Sequence, residues 1–144
     1  GNHSSTMFPN FFDAKIDGEP VPEVIDDEAW LKGEFIETIQ GRGSAIIDAR
    51  GASSAASAAN AALEHVRAWF TETPEDDWVS MAVPSDGSYG IDDELIYSFP
   101  VRCDGEGNYE IVDDLDLNDF AQEKLEITEE ELQGERDVVA DLLG

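Results

Sequence analysis

Basic residues are scarce in this chain: eight lysines and arginines stand against 34 aspartates and glutamates, a formal charge of −26 over 144 residues. A polyanion of that strength has no electrostatic route to a phosphate backbone, which argues against nucleic acid as a partner. The same field repels anionic substrates, so a site for one needs arginines that this sequence does not cluster. Cysteine is nearly absent as well. The single thiol, Cys103, leaves no internal disulfide framework and no multi-cysteine metal centre, favours a reducing interior, and is expected to be a small packing residue in a strand. No apolar run approaches the length of a bilayer span and no basic-then-apolar leader is visible, so no membrane partner is expected. The loop Pro84–Ile91 lacks the Gly-Lys-Ser/Thr ending of a phosphate loop. Asp104–Glu110 alternates carboxylates but has Tyr109 where a calcium loop needs glycine and Leu115 where it needs a bidentate glutamate.

What is present is enough for one domain with a real core. The acids are spread along the whole chain, as at Asp26-Asp27-Glu28, Glu75-Asp76-Asp77 and Glu129-Glu130-Glu131. That distribution reads as a solvated surface adapted to high salt or to an acidic proteome, in preference to a cation-binding surface. The chain opens on Gly-Asn-His without an initiator methionine and is expected to be a piece of a longer polypeptide.

Asp17-Gly18, between Ala14-Lys15-Ile16 and Glu19-Pro20-Val21, predicts a hairpin, with Phe8, Phe11 and Phe12 packed beneath it. From Asp26 or Asp27 as cap, apolar residues at Leu31, Phe35, Ile39, Ile46 and Ala49 predict a helix to about Arg50, bent or broken near Gly41 to Gly43. Gly51 to Leu63 reads as a small-residue helix capped by Ser53 or Ser54 and continuing through Val66 and Phe70 to Thr71. Its alanines suit a ligand at the helix start or tight packing between two neighbours, and both readings stay open. His65 on this helix is read as a surface residue. Trp78–Val83 and Leu95–Val101 are strands by composition, and Val101-Arg102-Cys103 should turn back onto Tyr109–Val112. Asn118 to Leu143 reads as one long helix with Phe120, Leu125, Leu132, Val139, Leu142 and Leu143 on its apolar face, docked on the domain's own sheet. Thr128 and Glu131 have capping-box spacing, so a restart at Thr128 is the alternative, and Gly134 is a weak point. The sum is an α+β domain with helices packed on an antiparallel or mixed sheet.

One segment invites chemistry. Gly1-Asn2-His3-Ser4-Ser5-Thr6-Met7 places an imidazole, which titrates near neutrality and can exchange a proton with a hydroxyl or carbonyl, among small hydrogen-bonding neighbours. Taken alone, a histidine beside serines is more often a solvated loop residue.

The register of the whole chain changes that weighting. Gly1–Thr6 with the following Phe-Pro turn and Ala14-Lys15-Ile16 resembles the catalytic-histidine segment of malate dehydrogenases of the cytosolic type, in the lactate and malate dehydrogenase superfamily. Gly51–Ala62, Val79–Val83, Ser85–Ile91, Leu95–Val101 and Asn118-Asp119-Phe120 resemble the same family in the same order. The resemblance implies a substrate and catalytic C-terminal domain spanning 1–144, with the nucleotide-binding domain absent from this chain. It implies interconversion of malate and oxaloacetate with NAD as hydride acceptor, and His3 as the base that takes the malate C2 hydroxyl proton. It assigns Ser53 to the substrate and Ser57 to the neighbourhood of the nicotinamide, and it implies a cytoplasmic homodimer. The family's glycine-rich turn, the aspartate that orients the histidine and the carboxylate-clamping arginines have no counterpart here, so the piece alone is expected to be inactive. Arg42 and Arg50 are the nearest candidates for a substrate contact. The alternative is a stand-alone acidic domain that acts by binding or dimerisation.

If the acidity is a salt adaptation, the melting temperature should rise with added salt into the molar range as self-repulsion is screened. A flat or falling melting temperature contradicts that reading.

Overall fold

The computed structural model describes residues 1–143, with side chains described through Leu142. The Asp-Gly pair turns the first hairpin as expected. β1 (Lys15–Ile16) and β2 (Glu19–Pro20) pair antiparallel, and both turn residues lie at positive φ, Asp17 at 52° and Gly18 at 89°. That is the conformation of a tight two-residue hairpin turn, which glycine adopts without steric cost. β2 runs directly into the one-turn helix α1 (Val21–Val24). Beneath the hairpin Phe11 is buried with Val21, Leu31 and Ile36, and Phe8, Phe12, Phe35 and Phe120 pack around them. Phe11 and Phe12 are thus packing residues, and Phe8 packs on the same cluster while also lining the groove described below.

Asp27 starts the next helical run, its carboxylate accepting from the Trp30 N–H at 2.9 Å. The run comprises α2 (Glu28–Trp30), a π-helical segment Leu31–Phe35 and α3 (Ile36–Arg50). The expected irregularity is therefore displaced. α3 crosses Gly41 and Gly43 without a break, because no side chain or backbone lies within 4 Å of either missing Cβ and nothing wedges the helix open. The wider turn falls instead where the core demands it: i→i+5 geometry sets Leu31 and Ile36 on one side, and they are 1% and 5% exposed.

α3 ends at Gly51, whose φ of 69° closes the helix in the left-handed conformation with its N–H on the Ile47 carbonyl. α4 (Ala56–Trp69) follows, and here two expectations fail. Neither Ser53 nor Ser54 caps it; the cap position is Ala55, with no side-chain bond, because both serines precede it in the irregular connection. The helix also ends two residues before Thr71, with the Phe70 N–H turned onto the Arg67 carbonyl. Nor is α4 a tightly buried small-residue helix within this chain. Leu63, Val66 and Phe70 are 67%, 55% and 63% exposed, and only Ala68 and Trp69 reach the core. His65 is exposed, as read, and stands edge-on to Trp69.

The main sheet is antiparallel, in the order β3 (Val79–Pro84), β4 (Ile96–Cys103), β5 (Tyr109–Ile111). Val79 faces Val101 at one end of the β3–β4 pair and Pro84 faces Ile96 at the other. Alternation puts Met81, Val83, Tyr97, Phe99, Val101 and Cys103 on the buried face. The opposite face carries the exposed Ser80, Ala82 and Ile96 and the half-buried Ser98 and Pro100. α5 (Asp119–Leu143) begins where Asn118 Oδ1 accepts from the Ala121 N–H at 2.9 Å. It lays Leu125 and Leu132 on the buried face of the sheet, and the Tyr97 hydroxyl donates to the Leu125 carbonyl. α5 passes through Thr128 and Gly134 without a restart. Its apolar stripe outruns the sheet, so that Val138 and Leu142 are 85% and 84% exposed; the role expected for Leu143 lies outside the described side chains. No described helix is long and apolar enough to cross a membrane.

The β-sheet core, where Phe99 is 1% exposed, carries the domain's stability. Phe99→Ala is expected to cost about 3–5 kcal/mol of unfolding free energy in urea titration, whereas Val138→Ala on the exposed end of α5 should stay within about 0.5 kcal/mol. Comparable losses from the two would show that the core is placed wrongly.

Candidate active site

Gly1–Met7 has no regular secondary structure, so its backbone polar groups must find partners elsewhere. They find them on β4 and α5. The Gly1 nitrogen donates to the Ser98 carbonyl at 2.7 Å, and the Ser98 N–H donates back to the Gly1 carbonyl at 2.9 Å, which stitches the start of the loop to the edge of β4. Gly1 also packs against α5 so closely that a Cβ there would lie 2.8 Å from Thr128 Cγ2. A side chain at this position would push the loop off the helix.

Two residues of α5 take the rest of the loop. Thr128 is fully buried, and its Oγ1 accepts from the Asn2 N–H at 3.0 Å and lies 3.0 Å from Thr6 Oγ1. The Ser4 and Thr6 hydroxyls both donate to Glu131 Oε2. Those two hydroxyls, Ser4 first, hold the Glu131 carboxyl below the usual carboxylate range. Further on, the Thr6 N–H donates to Ser4 Oγ at 3.1 Å, and Gln40 of α3 donates to the Met7 carbonyl at 2.9 Å. The loop is therefore short, irregular and tied at both ends.

His3 sits within this tied segment with its own side chain exposed. It stands on the wall of a groove of about 770 Å³ whose lining takes Ala82 and Ile96 from the outer face of the main sheet, Tyr97 and Phe99 from its packed face, and Phe8 and Leu115 from the loops. An exposed imidazole beside a largely apolar groove can exchange a proton with a small polar molecule held there.

The other two site candidates lie elsewhere. Ser53 is exposed in the connection between α3 and α4, Ser57 is exposed in the first turn of α4, and neither lines the groove. Arg42 and Arg50 are exposed as well, and the Arg50 guanidinium donates to the Ser53 carbonyl at 3.2 Å. The structure thus ties the residues around His3 to Thr128, Glu131 and Gln40, and leaves the two serines outside that network. Thr128 and Glu131 are the functional candidates that sequence reasoning passed over. Their i, i+3 spacing is a visible signal, but in the sequence it reads as a possible helix cap. In the structure both side chains face one way off an unbroken helix and receive the loop.

These residues do not by themselves fit a dinucleotide. No lysine or arginine lines the groove, and no glycine-rich turn joins a described strand to a helix, so a pyrophosphate would find neither cations nor a ring of amides.

Residues 1–142 match the family described as the lactate/malate dehydrogenase alpha/beta C-terminal domain. The chain is 54% identical over 142 residues to a malate dehydrogenase of Cutibacterium acnes; the match covers 99% of this chain and 43% of that protein. Among solved structures, malate dehydrogenase from Naegleria fowleri superposes with a TM-score of 0.89 at 44% identity, over 99% of this chain and 43% of that one. A lactate dehydrogenase of Trichomonas vaginalis, in complex with NADH and oxamate, superposes with a TM-score of 0.88 at 32% identity, over 99% of this chain and 45% of its own. The chain spans less than half the length of these relatives, and the half it matches is the one the family description calls C-terminal. On fold and sequence together, it belongs to the lactate/malate dehydrogenase family as its alpha/beta C-terminal domain.

Proposed function

We propose that this domain is the substrate-side half of an NAD-dependent malate dehydrogenase, with His3 as the group that takes and returns the proton. The observation that carries the reading is the placement of His3, exposed on the wall of the groove in a loop whose two ends are tied down. Malate is favoured over lactate as substrate by the 54% identity to a malate dehydrogenase, against 32% to the lactate dehydrogenase that superposes on the same residues. Oxidation of malate to oxaloacetate removes a hydride from C2 and a proton from its hydroxyl. A nicotinamide cofactor, held by the other half of the polypeptide, would supply the hydride acceptor. His3 supplies what remains: in the oxidative direction a neutral imidazole nitrogen accepts the hydroxyl proton, and in the reductive direction the imidazolium returns it to the carbonyl oxygen.

Ser53 as substrate contact and Ser57 beside the nicotinamide belong to the same reading. Both are exposed, Ser53 in the connection before α4 and Ser57 in its first turn, and the reading assigns this surface to contact with the nucleotide-binding half. A dicarboxylate also needs cations, which a net charge of −26 makes scarce here, so the clamping arginines are assigned to that other half as well. The isolated domain is then inactive, and the active species is a cytoplasmic homodimer of the full polypeptide. A second reading, an acidic domain that works by association alone, is favoured by one observation: Leu63 and Val66 on α4 and Phe70 just past its end are exposed apolar side chains.

In the full-length protein His3→Asn, which keeps a polar side chain but removes the base, should lower kcat for malate oxidation by about 100-fold or more while KM changes little. Turnover near that of the parent would overturn the assignment, and a full-length parent with no malate-dependent reduction of NAD would favour the second reading.

A further inference from the structure

We propose that Thr128 and Glu131 of α5 are positioning residues for His3: by receiving Asn2, Ser4 and Thr6 on either side of it, they set where the imidazole stands over the groove. The proposal rests on the reading of His3 as proton acceptor. The tie is close to the ring in sequence on both flanks, since Asn2 precedes His3 and Ser4 follows it. The Asn2 N–H goes to Thr128 Oγ1 and the Ser4 hydroxyl to Glu131, so both flanking residues are held by one rigid helix within one turn. Displacing the His3 backbone therefore requires breaking the bonds of its neighbours, those of Ser4 and Thr6 being to a charged acceptor and stronger than bonds between neutral groups.

The Glu131 carboxylate is the acceptor on which the loop hydroxyls converge. Ser4 and Thr6 have one hydroxyl proton each. The Thr6 hydroxyl is placed to donate to Glu131 Oε2 and, at 3.0 Å, to Thr128 Oγ1; Ser4 Oγ donates to Glu131 Oε2 and lies 3.0 Å from Thr6 Oγ1, and Thr128 Oγ1 accepts from the Asn2 N–H. The single Thr6 proton thus has two acceptors within reach, and Glu131 is the charged one that both loop hydroxyls share. An ionised glutamate accepts only, so it cannot compete for those protons; a glutamine offers one carbonyl oxygen able to accept both, more weakly, and an alanine offers nothing. Helix placement is independent of these contacts. Leu125 and Leu132 hold α5 on the sheet, and the Tyr97 hydroxyl binds the Leu125 carbonyl. Removing Glu131 should thus loosen the loop and leave the helix where it is.

The test uses the full-length dehydrogenase, with kcat, KM for malate and melting temperature measured together. Glu131→Ala is expected to lower kcat by about 10- to 100-fold with KM changed less than about threefold and the melting temperature near that of the parent. Glu131→Gln should recover most of the lost kcat, and Thr128→Val, which keeps the side-chain shape, should lower kcat in the same direction. A Glu131→Ala enzyme with parental kcat overturns the proposal. So does a loss that glutamine fails to recover, or one that follows the melting temperature from variant to variant. His3→Asn separates the two levels: if it alone is inactive while Glu131→Ala turns over normally, positioning is wrong and the base assignment stands. If His3→Asn turns over normally, the base assignment falls and positioning falls with it.

Discussion

The contact on which the rest depends is the one between an irregular loop and one side of a helix. Asn2, Ser4 and Thr6 hand their donors to Thr128 and Glu131, and Gly1 lies flush against Thr128 because it has no Cβ. A loop of this kind cannot satisfy its own backbone, so its position is borrowed from whatever accepts its hydrogen bonds. Here the lender is α5, and α5 is in turn fixed by Leu125 and Leu132 on the sheet core. The order of dependence runs from strand alternation to core, from core to helix, from helix to loop, and from loop to His3.

The charge distribution fits that order. Most of the 34 carboxylates have no structural task and face solvent. Two on α5 do have one: Glu131 receives the histidine loop, and Glu129 accepts from the Asp92 N–H at 2.9 Å in the turn before β4. Arg136, one of the few cations, reaches Asp92 at 2.9 Å and Glu94 at 3.1 Å from the same helix. α5 therefore collects two connections of the chain, the one that carries His3 and the one that joins β3 to β4. An acidic surface can be tolerated around such contacts because they are hydrogen bonds to named donors and do not rely on the net field.

Much of this was legible in the residues. The Asp17-Gly18 hairpin, the Asp27 cap, the strand alternation from Val79 to Cys103 and the long last helix all follow from local rules, because each is decided by neighbours within a few positions. The misses share a different cause. Gly41 and Gly43 were expected to bend α3, but a helix in open space tolerates glycine, and the wider turn went to Leu31–Phe35 where two side chains had to reach one cluster. Ser53 and Ser54 had the chemistry of caps and the wrong position. Thr128 and Glu131 had the spacing of a capping box, and the groups they serve are more than 120 positions away, as the separation of 126 between Asn2 and Thr128 shows. No window of sequence contains that contact. His3 itself was weak by residue chemistry and became a candidate through resemblance over the whole chain.

The central claim is that the His3 segment is a held structure and not a free loop, and amide hydrogen exchange in the full-length protein measures this directly. The Asn2 and Thr6 amides, which donate to Thr128 Oγ1 and Ser4 Oγ, should exchange far more slowly than the amide of the exposed Ser5 between them. Exchange of all three at the rate of an unstructured chain would contradict the account.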